Sequence, residues 1–277
     1  MKKFILAAVL AALAGGASAQ PISAERIAAI VASPDRSAAD RTNDLRRKPE
    51  GMLGFIGIVP GIVAFDLSAA GGYTTELLAR AVGPTGKVYG QSQPRDPNAV
   101  VTRPAAPEGN SNPNLPAAAP AGPFRPSPEA LADRDAKMRA AGVAAAPIVA
   151  VPRPFADPFP AELAEGKVDL VTLMFNYHDL GHMGVDRKPM NAAVFKALKP
   201  GGHYVIADHA GRPGTGISES GTLHRIEQDF LRGEVEAAGF KLAGEGMFLR
   251  NPNDPRDKNT PDPPQPKDEF VLKFVKP

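Results

Sequence analysis

Short apolar segments alternate with helical segments along most of the chain, and this alternation restricts the folds it can adopt. Residues 168–175 (VDLVTLMF) are apolar on both faces, as a strand must be when helices cover both sides of its sheet. The other strand-like segments are residues 62–67, 86–90, 148–151 and 203–207. Strands that alternate with helices favour a doubly wound, mostly parallel sheet, so we predict an α/β fold.

The helices predicted between and around these strands are residues 23–31, 73–82, 127–141, 189–198 and 222–238. Ser127 is expected to cap the third of these helices, with Pro128 in its first turn. Residues 241–249 and 270–275 are predicted to close the fold as a C-terminal antiparallel strand pair, joined by a proline-rich loop.

The first 19 residues have the three-part pattern of a secretory signal peptide, with two lysines, an apolar run and a small-residue ending. Cleavage is expected before Gln20, which would leave residues 20–277 as one domain, periplasmic or secreted. The apolar run is about 11 residues, too short for a bilayer-spanning helix. An uncleaved membrane anchor is the alternative. No later segment of the sequence is predicted to span a membrane.

Composition excludes several kinds of chemistry and partner. The chain contains no cysteine, which rules out disulfides, thiolate nucleophiles and cysteine zinc sites. Its formal charge of +2 equals the contribution of Lys2 and Lys3, so the mature chain is neutral and lacks a basic footprint for nucleic acid. Half of the 30 prolines lie at about residues 94–160, which predicts a proline-rich insertion. A loose loop is favoured over a lid at residues 110–128.

Ligands of doubly wound sheets bind at the carboxyl ends of the strands, which makes three loops candidate sites. Residues 66–74 (DLSAAGGYT) combine small residues with the free amides of a helix start, although close packing of the turn would explain the same residues. Residues 176–182 (NYHDLGH) and 208–214 (DHAGRPG) follow the fourth and fifth strands. Gly181 argues against a helix in the second loop.

Two chemical roles and one structural role fit the histidines and aspartates of these loops. His178 or His209 could act as a general base that its neighbouring aspartate orients. Alternatively, Asp179, Asp208 and one or two histidines could hold a divalent metal, which we favour less. The structural alternative is that His178 and Asp208 only hydrogen-bond to the backbone.

Taken in order, these segments resemble class I S-adenosylmethionine-dependent methyltransferases. Residues 62–90 are similar to motif I and the strand that follows it, and residues 169–171 to the family's fourth strand. Residues 195–206 and 234–240 are similar to the later helices and the fifth strand. The similarity spans about residues 50–275 outside the insertion. It is greatest to exported methyltransferases with Asn-Tyr-His-Asp after the fourth strand and Asp-His after the fifth.

The resemblance implies roles for particular residues. S-adenosylmethionine would be held by Asp66, Ser68, Ala70, Gly71, Gly72, Tyr73 and Gln91. The reaction site would be lined by Asn176, His178, Asp179, Asp208 and His209. Ser68, Ala70 and Gly72 stand where the family has three alternating glycines, and Gln91 stands where it has the acid that binds the ribose.

The predicted function is therefore methyl transfer from S-adenosylmethionine to a small-molecule or envelope substrate. Such a transfer is an in-line displacement that depends on positioning more than on acid–base chemistry. Two alternatives are an exported binding protein on a retired methyltransferase fold, and a cofactor-independent enzyme that uses the histidine and aspartate loops. The sequence indicates neither the methyl acceptor nor the oligomeric state.

Overall fold

A computed structural model describes residues 20–94, 125–259, 261 and 265–277. The predicted signal peptide and most of the loop predicted at residues 110–128 therefore lie outside the described residues, as does the segment 95–124 of the proline-rich insertion. Within the described ranges, no helix is long and apolar enough to cross a membrane.

Seven strands form one sheet in the order β3-β2-β1-β4-β5-β7-β6. They are β1 Val63–Leu67, β2 Lys87–Ser92, β3 Ile148–Pro152, β4 Val168–Met174, β5 Leu198–His209, β6 Lys241–Gly246 and β7 Glu269–Val275. Strands β1 to β5 pair in parallel, whereas β7 is antiparallel to both of its neighbours. The predicted doubly wound sheet and its closing antiparallel pair are confirmed.

Helices connect and cover these strands. In the described residues the α-helices are α1 Ala24–Val31, α2 Ala38–Arg47, α3 Pro49–Ile56, α4 Tyr73–Val82, α5 Ser127–Ala140, α6 Asp179–His182, α7 Arg187–Ala197 and α8 Gln228–Ala237, and a 3-10 helix spans Ala161–Leu163. The predicted bounds of α4 are those of the structure, because glycines stand directly before and after the helix; both have positive φ.

The sheet separates two apolar clusters, one on each face. Because side chains alternate along a strand, Phe65 and Leu67 of β1 enter one cluster while Ala64 enters the other. The side chains of β4 are distributed in the same way, with Leu173 in the first cluster and Leu170 in the second. Burial on both faces explains why these central strands are apolar throughout.

Two predicted helix starts are wrong. The last helix begins at Gln228 rather than at residue 222, because His224 has a φ of 50° and Ile226 pairs with Ala210 as an isolated parallel bridge. Ser127 is not a cap: Pro126 occupies that position, and no side chain caps the helix.

Three helices were not predicted. Two of them, α2 and α3, precede the sheet, and α2 (AADRTNDLRR) is so polar that it has no apolar stripe to recognise. The third, α6, forms one turn despite Gly181. A Cβ at that position would lie 2.7 Å from Cγ1 of Ile217 and 2.8 Å from Oγ of Ser220, so close packing requires the glycine there. The prediction of a non-helical segment is therefore wrong.

Candidate active site

A cavity of about 310 Å³ lies at the carboxyl ends of β1 and β4. Five of the seven predicted cofactor residues line it, namely Asp66, Ser68, Ala70, Gly71 and Tyr73. The pairing of β1 with β4 sets this position. Leu67 lies opposite Leu173, and β1 ends at Leu67 while β4 ends at Met174, so the loops that follow the two strands begin side by side. The cavity also reaches Asn176, in the loop after β4.

Asp66 is buried beneath the cavity and holds the start of the loop in place. Its carboxylate accepts hydrogen bonds from Oγ1 of Thr75 at 2.6 Å and from Oγ1 of Thr172 at 2.8 Å. Burial raises the pKa of Asp66 to about 6. The two hydrogen bonds act in the opposite direction, but their effect on the pKa is smaller than that of burial. The carboxylate thus links β1, β4 and the first turn of α4.

The backbone around the cavity is strained at three residues. Ser68, Ala70 and Phe175 all have positive φ, at 61°, 46° and 60°, which residues other than glycine rarely adopt. Gly72 has a φ of 80°, and a Cβ there would lie 2.6 Å from the side chain of Leu131. Such strain persists where the surroundings fix it, and it is concentrated at functional sites.

The two remaining cofactor predictions do not line the cavity. Gly72 faces α5. Gln91 is fully buried, and its amide bonds to the backbone on both sides, since Oε1 accepts from the amide of Ser68 at 2.9 Å and Nε2 donates to the carbonyl of Arg153 at 2.6 Å. Gln91 therefore supports the loop, and its contact with a ribose stays a prediction.

Sequence reasoning missed four residues that line the cavity from the helices: Asp40, Asn43 and Arg47 of α2, and Arg134 of α5. The guanidinium of Arg47 stacks over the rings of Phe175 at 4.7 Å and Tyr73 at 5.3 Å. Burial lowers the pKa of Arg47 to about 10. Within the described part of the chain, no carboxylate pairs with Arg47, which leaves its charge directed at the cavity.

Arg134 has a different role, because its charge is fully used within the protein. It pairs with Asp40 of α2 at 2.7 Å and with Glu76 of α4 at 2.5 Å, and its Nε donates to the carbonyl of Gly71 at 2.5 Å. This one side chain therefore fastens three helices around the glycine-containing loop.

Asn176 connects the cavity to the predicted reaction site. The hydroxyl of Ser68 donates to Oδ1 of Asn176 at 2.5 Å, and Nδ2 of Asn176 donates to Oδ2 of Asp179 at 2.6 Å. The loop after β1 and the loop after β4 thus share a continuous hydrogen-bonded path.

Asp179 lies at the centre of a cluster formed with His178 and His224, which we call the His/Asp cluster. Oδ1 of Asp179 is 3.0 Å from Nε2 of His178 and 3.2 Å from Nδ1 of His224. Burial alone would raise the pKa of Asp179, but hydrogen bonds from the two histidines lower it below its usual value. His182 lies beside the cluster, with its ring 5.5 Å from that of His224.

Asp208 supports the His/Asp cluster from behind and does not face the cavity. It is fully buried, with Oδ1 lying 2.6 Å from Nδ1 of His178 and Oδ2 accepting from the amide of His178 at 2.8 Å. An aspartate in this position fixes the orientation of the imidazole ring. The sequence did not predict this pair, because it assigned each histidine the aspartate next to it in the chain; in the structure Asp208 is the positioning partner of His178.

His209 is packed inside the protein. It is fully buried between the rings of Phe175 and His178, at 5.7 Å and 5.3 Å, and burial holds its pKa well below the usual value. Among the described residues, neither ring nitrogen has a hydrogen-bond partner, although Nδ1 lies 2.9 Å from Oε1 of Glu269. Its predicted catalytic role stays a prediction, and its surroundings favour a neutral packing residue.

No family model matches the chain, and no curated protein matches it. Several solved structures do match the fold of the chain. A SAM-dependent methyltransferase from Aquifex aeolicus superposes with a TM-score of 0.52 at 14% identity, covering 87% of this chain and 100% of that one. A chain from the complex of the Haloferax volcanii Trm112 methyltransferase activator with its candidate methyltransferase gives 0.52 at 16% identity, covering 92% and 99%. This likeness shows a Rossmann-like class I methyltransferase fold.

Proposed function

We propose that this protein transfers a methyl group from S-adenosylmethionine to a small-molecule or envelope acceptor. The observation that carries the proposal is the cavity at the end of β1, bordered by the loop of Ser68 to Gly71 and joined through Asn176 to the His/Asp cluster. A cofactor site and a polar reaction site would then lie side by side, as a direct transfer between two bound molecules requires.

The lining of the cavity suits the amino-acid end of this cofactor. Arg47 presents a guanidinium that has no ion-pair partner among the described residues, and a planar guanidinium pairs well with a carboxylate. Asn43 of the same helix adds an amide oxygen that can accept from an ammonium group. Ala70, which has a positive φ, also lines the cavity.

The cofactor supplies an electrophilic methyl group on a sulfonium, and the residues of this chain position the acceptor. The polar atom of the acceptor would bind beside Asn176 and Asp179, at the end of the path from Ser68. In the transfer, the acceptor–methyl bond forms as the sulfur–methyl bond breaks, and the proton of the acceptor leaves to the His/Asp cluster or to solvent. Met174 and Phe175 add apolar surface to the lining of the cavity.

Calorimetric titration of the purified full chain with S-adenosylmethionine and S-adenosylhomocysteine tests this proposal. Arg47→Met keeps the apolar stem of the side chain and removes its charge. We expect it to weaken both affinities by about tenfold to a hundredfold, the effect of losing a charged hydrogen bond worth about 1.5–3 kcal/mol. Leu45→Ala is the matched control, because Leu45 is 54% exposed on the same helix.

A second ligand makes this test specific. Methylthioadenosine lacks the amino-acid end of the cofactor, so its affinity should be the same for wild type and Arg47→Met. If neither cofactor form binds at millimolar concentration to a chain that unfolds cooperatively, the proposal is wrong. The fold would then serve another purpose, such as ligand binding without methyl transfer.

A further inference from the structure

The His/Asp cluster has a feature that methyl transfer alone does not require: three side chains that can ligate a metal lie close together. One ring nitrogen of His178, a carboxylate oxygen of Asp179 and one ring nitrogen of His224 all lie within 4.8 Å of one another. We propose that His178, Asp179 and His224 bind a divalent transition-metal ion of the zinc class. The metal site itself does not depend on the proposed function.

The distances between the ligand atoms suit such an ion. Ligands held about 2.1 Å from zinc are separated by about 3.0 Å at a right angle and about 3.4 Å at the tetrahedral angle. The observed separations from Oδ1 of Asp179 are 3.0 Å to His178 and 3.2 Å to His224. Both separations measured from Asp179 therefore match the spacing of ligands around such an ion.

Asp208 and Asn176 are the kind of outer partners that metal ligands have. A histidine that binds a metal commonly donates its other ring N–H to a carboxylate, and this contact fixes the tautomer and the ring orientation. Asp208 provides that contact for His178. Asn176 donates to the second oxygen of Asp179 at 2.6 Å, which leaves Oδ1 to face the histidines.

The donor set indicates which ions would bind. Two imidazole nitrogens and one carboxylate oxygen suit zinc, iron(II), cobalt or nickel, whereas magnesium and calcium prefer oxygen ligands. The side chains of Asp179 and His224 are 16% and 27% exposed, so solvent reaches one side of the site. If the proposed function holds, an open coordination position there could take a polar atom of the acceptor.

The test is metal binding by the full chain after removal of bound metal with a chelator. Titration with Zn²⁺, and with Co²⁺ as a spectroscopic substitute, should give one ion per chain with a dissociation constant in the micromolar range or below. Visible bands of bound Co²⁺ would report nitrogen ligands. Millimolar Mg²⁺ should not displace either ion. Neither titration contains S-adenosylmethionine, so failure here leaves the proposed function standing.

Variants assign the site. Asp179→Asn and His224→Gln should each weaken Zn²⁺ binding more than tenfold, and Asp208→Asn should weaken it about tenfold to a hundredfold by releasing the ring of His178. His203→Gln is the control, because His203 lies in the middle of β5, outside the His/Asp cluster. Circular dichroism and thermal unfolding check that each variant folds. Absence of binding to wild type, or equal loss in His203→Gln, would overturn the proposal.

His182→Gln separates a three-ligand site from a four-ligand one. Nδ1 of His182 lies 3.8 Å from Oδ1 of Asp179 and 3.1 Å from the hydroxyl of Ser220. Since Ser220 already engages this nitrogen, we expect the variant to retain most of the Zn²⁺ affinity. A loss as large as that of His224→Gln would add His182 to the ligands and leave the site itself supported.

Discussion

Asp66 shows how one buried residue can make the stability of the whole protein depend on pH. Its carboxylate is 2% exposed, and burial raises its pKa to about 6. The folded state therefore binds the proton of Asp66 more tightly than the unfolded state, in which the pKa is about 3.9. Stability is then favoured at low pH and falls as the pH rises through this window.

Asp66→Asn should remove that dependence. Between about pH 4 and pH 7, the wild type should lose up to about 3 kcal/mol of unfolding free energy relative to Asp66→Asn, the energy of a shift of about two pKa units. Urea unfolding of both proteins at several pH values measures the difference. A constant offset between the two curves, from the lost acceptor for Thr75 or Thr172, is compatible with this explanation. Two parallel pH profiles would contradict it.

Helix α2, which precedes the sheet, is held by charge rather than by an apolar stripe. Arg36 is buried and pairs with Asp44 at 2.6 Å, while Arg134 reaches Asp40 from α5. Ion pairs that join elements distant in sequence leave no periodic pattern to recognise. This is why α4 could be placed to the residue from the sequence, whereas α2 could not be predicted.

Arg134→Met should therefore destabilise the protein strongly. It would leave the carboxylates of Asp40 and Glu76, which are 3% and 7% exposed, without their shared partner. Breaking a buried pair by removing one partner costs about 3–5 kcal/mol, measured as the change in urea unfolding.

The matched control for Arg134→Met is Arg125→Met. The ion pair of Arg125 with Asp133 joins the same region of the chain, but both side chains are exposed, at 52% and 42%. Loss of an exposed pair should cost less than about 1 kcal/mol. Equal losses in the two variants would show that the three-helix contact of Arg134 contributes little.

At the scale of the whole molecule, the fold was predictable and the composition of the site was predictable in part. The doubly wound sheet follows from apolar strands such as β4, and the strand-end rule placed Asp66, Asn176 and His178 near one another. Arg47 could not be predicted, because its position over the cavity depends on how α2 packs. Nothing in its sequence surroundings distinguishes it from its neighbour Arg46.

We also propose that the chain is exported and that residues 1–19 are removed. The two lysines, the apolar run and the small-residue ending support this, as does the balance of charge that remains without them. Expression in a bacterial host should place the mature protein in the periplasmic fraction with Gln20 as its first residue. Lys2→Glu with Lys3→Glu should slow export without changing the mature protein. Full-length chain recovered only from the cytoplasm would refute the proposal.

Because Asp208 holds His178 in place, the His/Asp cluster can form only when β5 is in the correct register with β4. Asp208 lies at the end of β5, opposite the loop after β4, and binds the backbone amides of His178 and His209 together. A shift of β5 by one residue would turn Asp208 to the other face of the sheet and separate it from His178. A chain with misaligned strands would therefore have no assembled cluster, and only properly folded molecules could present one to a ligand.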